Sequence, residues 1–175
     1  MRIGILCQHR SGHSAYEQHL ANITKIKVVQ ELNLNHKDVD TYMQNLPKTC
    51  IFSMMPRVGI DEIMRGYKDI NWRILLRRDF VRQCISFIYT NRSQIFAGEQ
   101  NKKLLVDPNL IDSFFDNFQI ISKIVKTKKY PVYFYEDLDL SRAFDKKNST
   151  QYEKLILNID EVTNRISAKK NQLSL

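Results

Sequence analysis

Four short apolar runs punctuate the chain: Arg2–Cys7 (RIGILC), Thr49–Met55 (TCIFSMM), Trp72–Leu76 (WRILL) and Pro131–Tyr135 (PVYFY). Segments of helical pattern separate them. Short runs without polar alternation are the mark of strands buried on both faces, and strands joined through helices pair in parallel. The alternation therefore predicts an α/β fold: three layers, α/β/α, around a central parallel sheet. Ligands of such folds bind beyond the carboxyl ends of the strands.

The intervening helices are expected over Ser11–Ala21, Asp38–Leu46, Val81–Thr90, Asn109–Lys126 and Tyr152–Ile166, with a shorter turn at Asp61–Tyr67. Pro47 and Pro56 end two of the segments, as proline does. Ile26–Leu32 reads as a short extended stretch. Ile111, Phe114, Phe118, Ile121 and Val125 recur at helical spacing and form a core-facing stripe. Residues 91–108 are polar and hold Gly98 and Pro108, so they read as a loop or lid-like insertion. The tail from Ser167 is polar and basic. No repeat, low-complexity tract or linker divides the chain, so one domain over residues 1–175 is expected.

Composition narrows the class. No apolar run approaches the ~18–20 residues that span a bilayer, and the N-terminal run is too short for a signal-peptide core. A cytoplasmic protein without a membrane span is expected. Cys7, Cys50 and Cys84 are far apart and form no CxxC pair, so buried thiols are expected rather than disulfides or a zinc site. The net charge of +8 attracts polyanions, whether nucleic acid, an anionic membrane or a phosphorylated small molecule.

Two basic turns follow two of the strands. The first is CQHRSGHS, Cys7 to Ser14. Backbone N–H groups at a helix start favour an anion, Gly12 permits unusual dihedrals, Arg10 adds a planar fork of donors, and Ser11 and Ser14 add hydroxyls. The Walker A pattern GxxxxGK[ST] is not met, because His13-Ser14 follows Gly12 where Lys-Ser/Thr is required. The second turn lies in WRILLRRDFVRQCISF: Arg77 and Arg78 end a strand, and Ser86 falls eight positions after Arg78 on the next helix. Arg78 and Ser86 can converge on one phosphate. Arg77 and Arg78 could instead pair with nearby acids. Two such turns in one domain imply a ligand with phosphates at two positions.

With these motifs the chain resembles the sulfotransferases that depend on 3′-phosphoadenosine 5′-phosphosulfate (PAPS). HRSGHS is similar to that family's loop P-[KR]-[ST]-G-[ST]-[ST] at Arg10, Ser11, Gly12 and Ser14, with His9 in place of proline and His13 in place of a hydroxyl residue. Arg78 with Ser86 resembles its 3′-phosphate pair. RRDFVRQCISF is close to the RRD-x-[VI]-x-Q-A-[VI]-S pattern of the bacterial trehalose sulfotransferase type. The YEDL of Tyr135 to Leu138 is frequent in the superfamily. These features span residues 3–138, and the chain is short for the family.

The resemblance implies a P-loop-like PAPS sulfotransferase fold related to nucleotide kinases. It also implies sulfuryl transfer from PAPS, without a metal, to a hydroxyl or amine of a carbohydrate or small metabolite. Arg10, Ser11, Gly12, His13 and Ser14 would bind the phosphosulfate, and Arg78 and Ser86 the 3′-phosphate. Arg10 would also neutralise charge on the leaving phosphate. Glu31 is the first candidate for general base and His13, with an ordinary pKa of ~6.5, the second. Glu136 and Asp137 are expected to anchor loop backbone, and Lys169-Lys170 to close over the 3′-phosphate or to lie in a solvated tail. The alternatives are a P-loop-like nucleotide kinase and a non-catalytic nucleotide- or nucleic-acid-binding module. No nucleic-acid partner is expected, because the aromatic residues read as core.

Overall fold

The computed structural model describes residues 1–29, 39–93, 103–107, 109–138 and 152–172. Its strands are β1 (Arg2–Cys7), β2 (Cys50–Met54), β3 (Ile70–Leu76) and β4 (Val132–Phe134). Its helices are α1 (His13–Thr24), α2 (Val39–Asn45), α3 (Ile60–Gly66), α4 (Phe80–Ser93), α5 (Leu110–Lys126) and α6 (Ile159–Gln172). The four strands form one parallel sheet in the order β2-β1-β3-β4. Beyond β2, Val29 N–H donates to Ile51 O and Ile51 N–H to Lys27 O, so residues 27–29 add a minimal further rung to that side.

Alternation along the strands builds the layers, because successive side chains face opposite ways. Ile3, Ile5 and Cys7 of β1, Ile51 of β2 and Leu75 of β3 pack on Tyr16 and Leu20 of α1. Leu6, Phe52, Trp72 and Ile74 face the other way, onto α2, α3 and the Ile121 and Ile124 of α5. Helices α4, α5 and α6 share a further core in which Phe80 meets Phe114, Phe115 and Phe118 at 5.3, 5.2 and 4.6 Å. The expected stripe is core: Ile111, Phe114, Phe118 and Ile121 are buried, and Val125 is partly so.

Gly4 belongs to this packing. It sits opposite Trp72 in the β1–β3 register, and a Cβ on it would lie 2.5 Å from the indole. The indole in turn donates to Tyr67 O at 3.2 Å.

Three expected spans change. The run Tyr152–Ile166 is not one helix: a 3₁₀ turn occupies Tyr152–Lys154, and α6 starts at Ile159. Leu155 O and Leu157 N–H between them are spent on Leu104 at 2.8 Å each, so the backbone there pairs across space instead of along a helix. Asn158 clasps Val106 through both its side-chain oxygen and nitrogen, and its carbonyl accepts from Val162. PVYFY is extended only over β4, and Tyr135–Asp137 then winds into a 3₁₀ turn. Of the expected loop 91–108, the first three residues extend α4 and residues 103–107 hold the Leu104–Ile156 bridge; residues 94–102 and 108 lie outside the described residues.

The three cysteines form no disulfide among the described residues and are buried, and burial pushes the Cys50 and Cys84 thiols up. No helix among the described residues is long and apolar enough to cross a membrane.

Replacing Gly4 with valine drives methyl groups into the Trp72 ring. We expect a loss of about 1–3 kcal/mol in urea unfolding, with an unchanged denaturant slope.

Candidate functional site

The connection from β1 departs toward β2, and the connection from β3 departs toward β4. Neighbouring strands whose chains leave in opposite directions open a crevice at their carboxyl ends, the usual ligand position of such sheets. The two basic turns border this crevice because they follow β1 and β3.

The first turn is wound tightly. Arg10 has φ 60° and Gly12 φ 84°, while Ser11 between them does not have positive φ. This alternation is the pattern that turns successive backbone N–H groups into an anion-binding concavity. Gly12 is also the N-cap of α1, with no side-chain cap and no acidic residue in the first turn. The positive end of the helix dipole is therefore met by no acidic side chain in the first turn. Ser11 is fully buried and its Oγ has no hydrogen-bond partner among the described residues. Ser14 is exposed on the first helical turn, and His13 is half-buried.

Gly12 is needed for a second reason. A Cβ there would lie 2.2 Å from the Tyr135 ring. Tyr135 thus reaches from the end of β4 across β3 to lie on the loop, and the Arg77 guanidinium stands 4.8 Å from the centre of its ring. Arg77 also donates to Arg10 O at 3.4 Å, which ties the two turns together. Behind the loop, Gln8 donates to Phe114 O at 2.8 Å, and Gln83 donates to His9 O at 2.8 Å. Both glutamines are buried, so α4 and α5 fix the loop's position.

The Arg10 side chain runs to α4. Its Nε donates to Ser86 Oγ at 2.9 Å, and a terminal nitrogen donates to the Tyr152 hydroxyl at 2.8 Å. Ser86 is buried, accepts from Arg10 and keeps its own proton for an acceptor.

Arg78 has a different neighbourhood. It is half-exposed, lies 4.2 Å from the centre of the Phe134 ring, and binds both carboxylate oxygens of Asp137. Its backbone N–H donates to Glu136 Oε2 at 3.0 Å, while Arg77 Nε lies 3.4 Å from Glu136 Oε1. The expected anchoring of loop backbone by Glu136 is seen here, and the arginines take acids of the YED turn as partners, not Asp79. Asp79 instead caps α4, accepting from Arg82 N–H at 3.0 Å. The hydrogen bond from Arg78 holds the Asp137 carboxyl below its ordinary range.

Among the sequence-derived candidates, the structure thus joins Arg10 directly to Ser86 and leaves Arg78 on Asp137. Glu31 lies outside the described residues. Lys169 binds Asp112 at 2.6 Å, and Lys170 is exposed. Tyr152 is a site residue that no local pattern singles out, because it comes from a distant segment; Gln83 and Tyr135 lie inside quoted motifs, but their contacts with the loop are long-range. Glu17 is a buried carboxylate one turn after His13, on the same helix face. That i, i+4 spacing is visible in the sequence. Burial, with smaller contributions from Cys50 and Glu17, pushes the Tyr42 phenol up to about 12, so it stays protonated at neutral pH.

No protein-family model matches the chain, and no curated protein matches it.

Two outcomes test this geometry. Gly12→Ala forces a left-handed alanine, which costs ~1–2 kcal/mol, and adds the Tyr135 collision. Combining it with Tyr135→Ala should restore part of the loss, with a coupling of about 0.5–3 kcal/mol in thermal or urea unfolding. Asp137 should titrate below an ordinary aspartate by NMR, and Arg78→Ala should return it upward. Because its native pKa is depressed, the pair stabilises the fold above pH ~4 and loses that contribution as pH falls through the native value.

Proposed function

We propose that the protein is a PAPS-dependent sulfotransferase with a P-loop-like donor site at the β1/β3 crevice. The observation that carries this reading is the junction of the two basic turns: Arg10 bonded to Ser86, and Arg77 bonded to Arg10 O. A donor with phosphates at two positions suits two linked cationic turns better than a single anion does.

The residues fit such a ligand. The positive-φ loop, the start of α1 and the unpartnered Ser11 Oγ suit the phosphosulfate end. Ser86, with a proton to donate, suits the 3′-phosphate. When bound, PAPS supplies the sulfuryl group, with adenosine 3′,5′-bisphosphate as the leaving group. The Arg10–Ser86 bond favours a shared duty, Arg10 giving fixed charge and Ser86 a directed hydroxyl at the same phosphate. Arg77, close to Gly12 through Tyr135, is then placed to offset charge growing at the loop. Arg78 can add to the 3′-phosphate side at the cost of loosening its hold on Asp137. Glu31 remains the first candidate for the base and His13 the second. The acceptor class proposed is a hydroxyl or amine on a carbohydrate or small metabolite. A nucleotide kinase is less well supported, because the loop lacks the Lys-Ser/Thr pair that its phosphates require.

Calorimetry with adenosine 3′,5′-bisphosphate, ATP and single-stranded DNA tests the reading. The bisphosphate should bind best, and Ser86→Ala should weaken it about 10- to 100-fold, the cost of a lost hydrogen bond to a charged group. Arg78→Ala should weaken it as well. Absence of bisphosphate binding, with a steeply salt-dependent affinity for DNA, overturns it in favour of a nucleic-acid module. Glu31→Gln should abolish turnover and spare bisphosphate binding; surviving turnover passes the base role to His13.

A further inference from the structure

A cavity of about 580 Å³ lies between α5 and the β3–β4 edge of the sheet, beside the donor crevice. Its walls are apolar: Phe80, Phe118, Val125, Val132 and Phe134. Three cations line it as well, Arg77, Arg78 and Lys170. Its volume lies within the span of ordinary small-molecule sites, roughly 300–1,000 Å³.

The lining selects the ligand class. Ser122 is the one uncharged polar side chain in it. A sugar or nucleobase would lose most of its hydrogen bonds to water and find few replacements. An alkyl or aryl body loses nothing of that kind and gains by leaving water. The charges are also informative. Arg78 is paired with Asp137 and Arg77 faces Glu136, whereas Lys170 makes no ion pair among the described residues. Three cations against two carboxylates leave one net positive charge, the complement of a monoanion.

We propose that this cavity binds a single amphipathic monoanion, an aromatic or aliphatic body carrying one carboxylate or sulfonate, with the body between Phe118, Val125 and Phe134 and the head toward Lys170. This goes beyond the donor reading and stands without it.

The test is a fluorescence titration of the full chain, without nucleotide, using 1-anilinonaphthalene-8-sulfonate and the uncharged N-phenyl-1-naphthylamine. We expect saturable binding of the sulfonate at one site per chain. Lys170→Glu reverses an exposed charge, so it should leave the fold intact; it should weaken the sulfonate about tenfold or more and leave the neutral dye unchanged. Val125→Trp fills the cavity and should remove binding of both dyes. The proposal is overturned by non-saturable sulfonate binding, by a Lys170→Glu effect that is equal for both dyes or absent, or by unchanged binding in a Val125→Trp variant with the parent's melting temperature. Should Val125→Trp not fold, the Lys170→Glu comparison decides alone.

Discussion

Strand β1 has hydrogen-bonded neighbours on both sides, and this burial sets where almost everything else can go. A parallel strand in that position must offer apolar side chains to both faces, as RIGILC does, and must leave room where a neighbour is bulky. Gly4 provides that room for Trp72. Because β1 and β3 are adjacent and their chains depart in opposite directions, the turns after them face one another. The same topology sends the chain after β4 back over β3, which lays Tyr135 on Gly12.

The crevice then has to hold three guanidinium groups close together. The structure solves this with different partners for each. Arg10 donates to two hydroxyls, those of Ser86 and Tyr152. Arg77 and Arg78 are balanced by Glu136 and Asp137, which come from a single turn. Exposed ion pairs of the Arg78–Asp137 kind add little to stability. Their effect is on geometry: Glu136 also accepts the Arg78 backbone N–H, so the turn after β3 is held at both main chain and side chain. Tyr152 links the loop to the segment that precedes α6, and Gln8 and Gln83 link it to α5 and α4. The site is therefore fixed by the helical core beyond the sheet as much as by the sheet.

Much of the architecture is legible in the sequence. Strands β1 and β2 and helices α2, α3 and α5 fall where apolar runs and helical spacing put them, since local periodicity reports burial directly. The departures occur where long-range pairing competes. The segment from Tyr152 has helical composition, yet Leu104 captures the backbone around Leu155 and Leu157. The candidate site is legible in part. The spacing puts Arg78 in the turn after β3 and Ser86 on α4, but spacing carries no information on rotamers or on rival partners. Asp137 holds the Arg78 side chain, and Arg10 reaches Ser86 from a loop far away in sequence.

By itself the sequence determined the α/β alternation, the glycine-bearing turn after the first strand, and the pairing of basic turns with strand ends, because each depends on residues within a few positions of one another. Only the tertiary structure decided that Arg10 meets Ser86, that Tyr135 needs Gly12 to be a glycine, and that a cavity opens between α5 and the sheet edge. Those depend on strand order and on competition among distant partners for the same donors, and neither is written in any local stretch of chain.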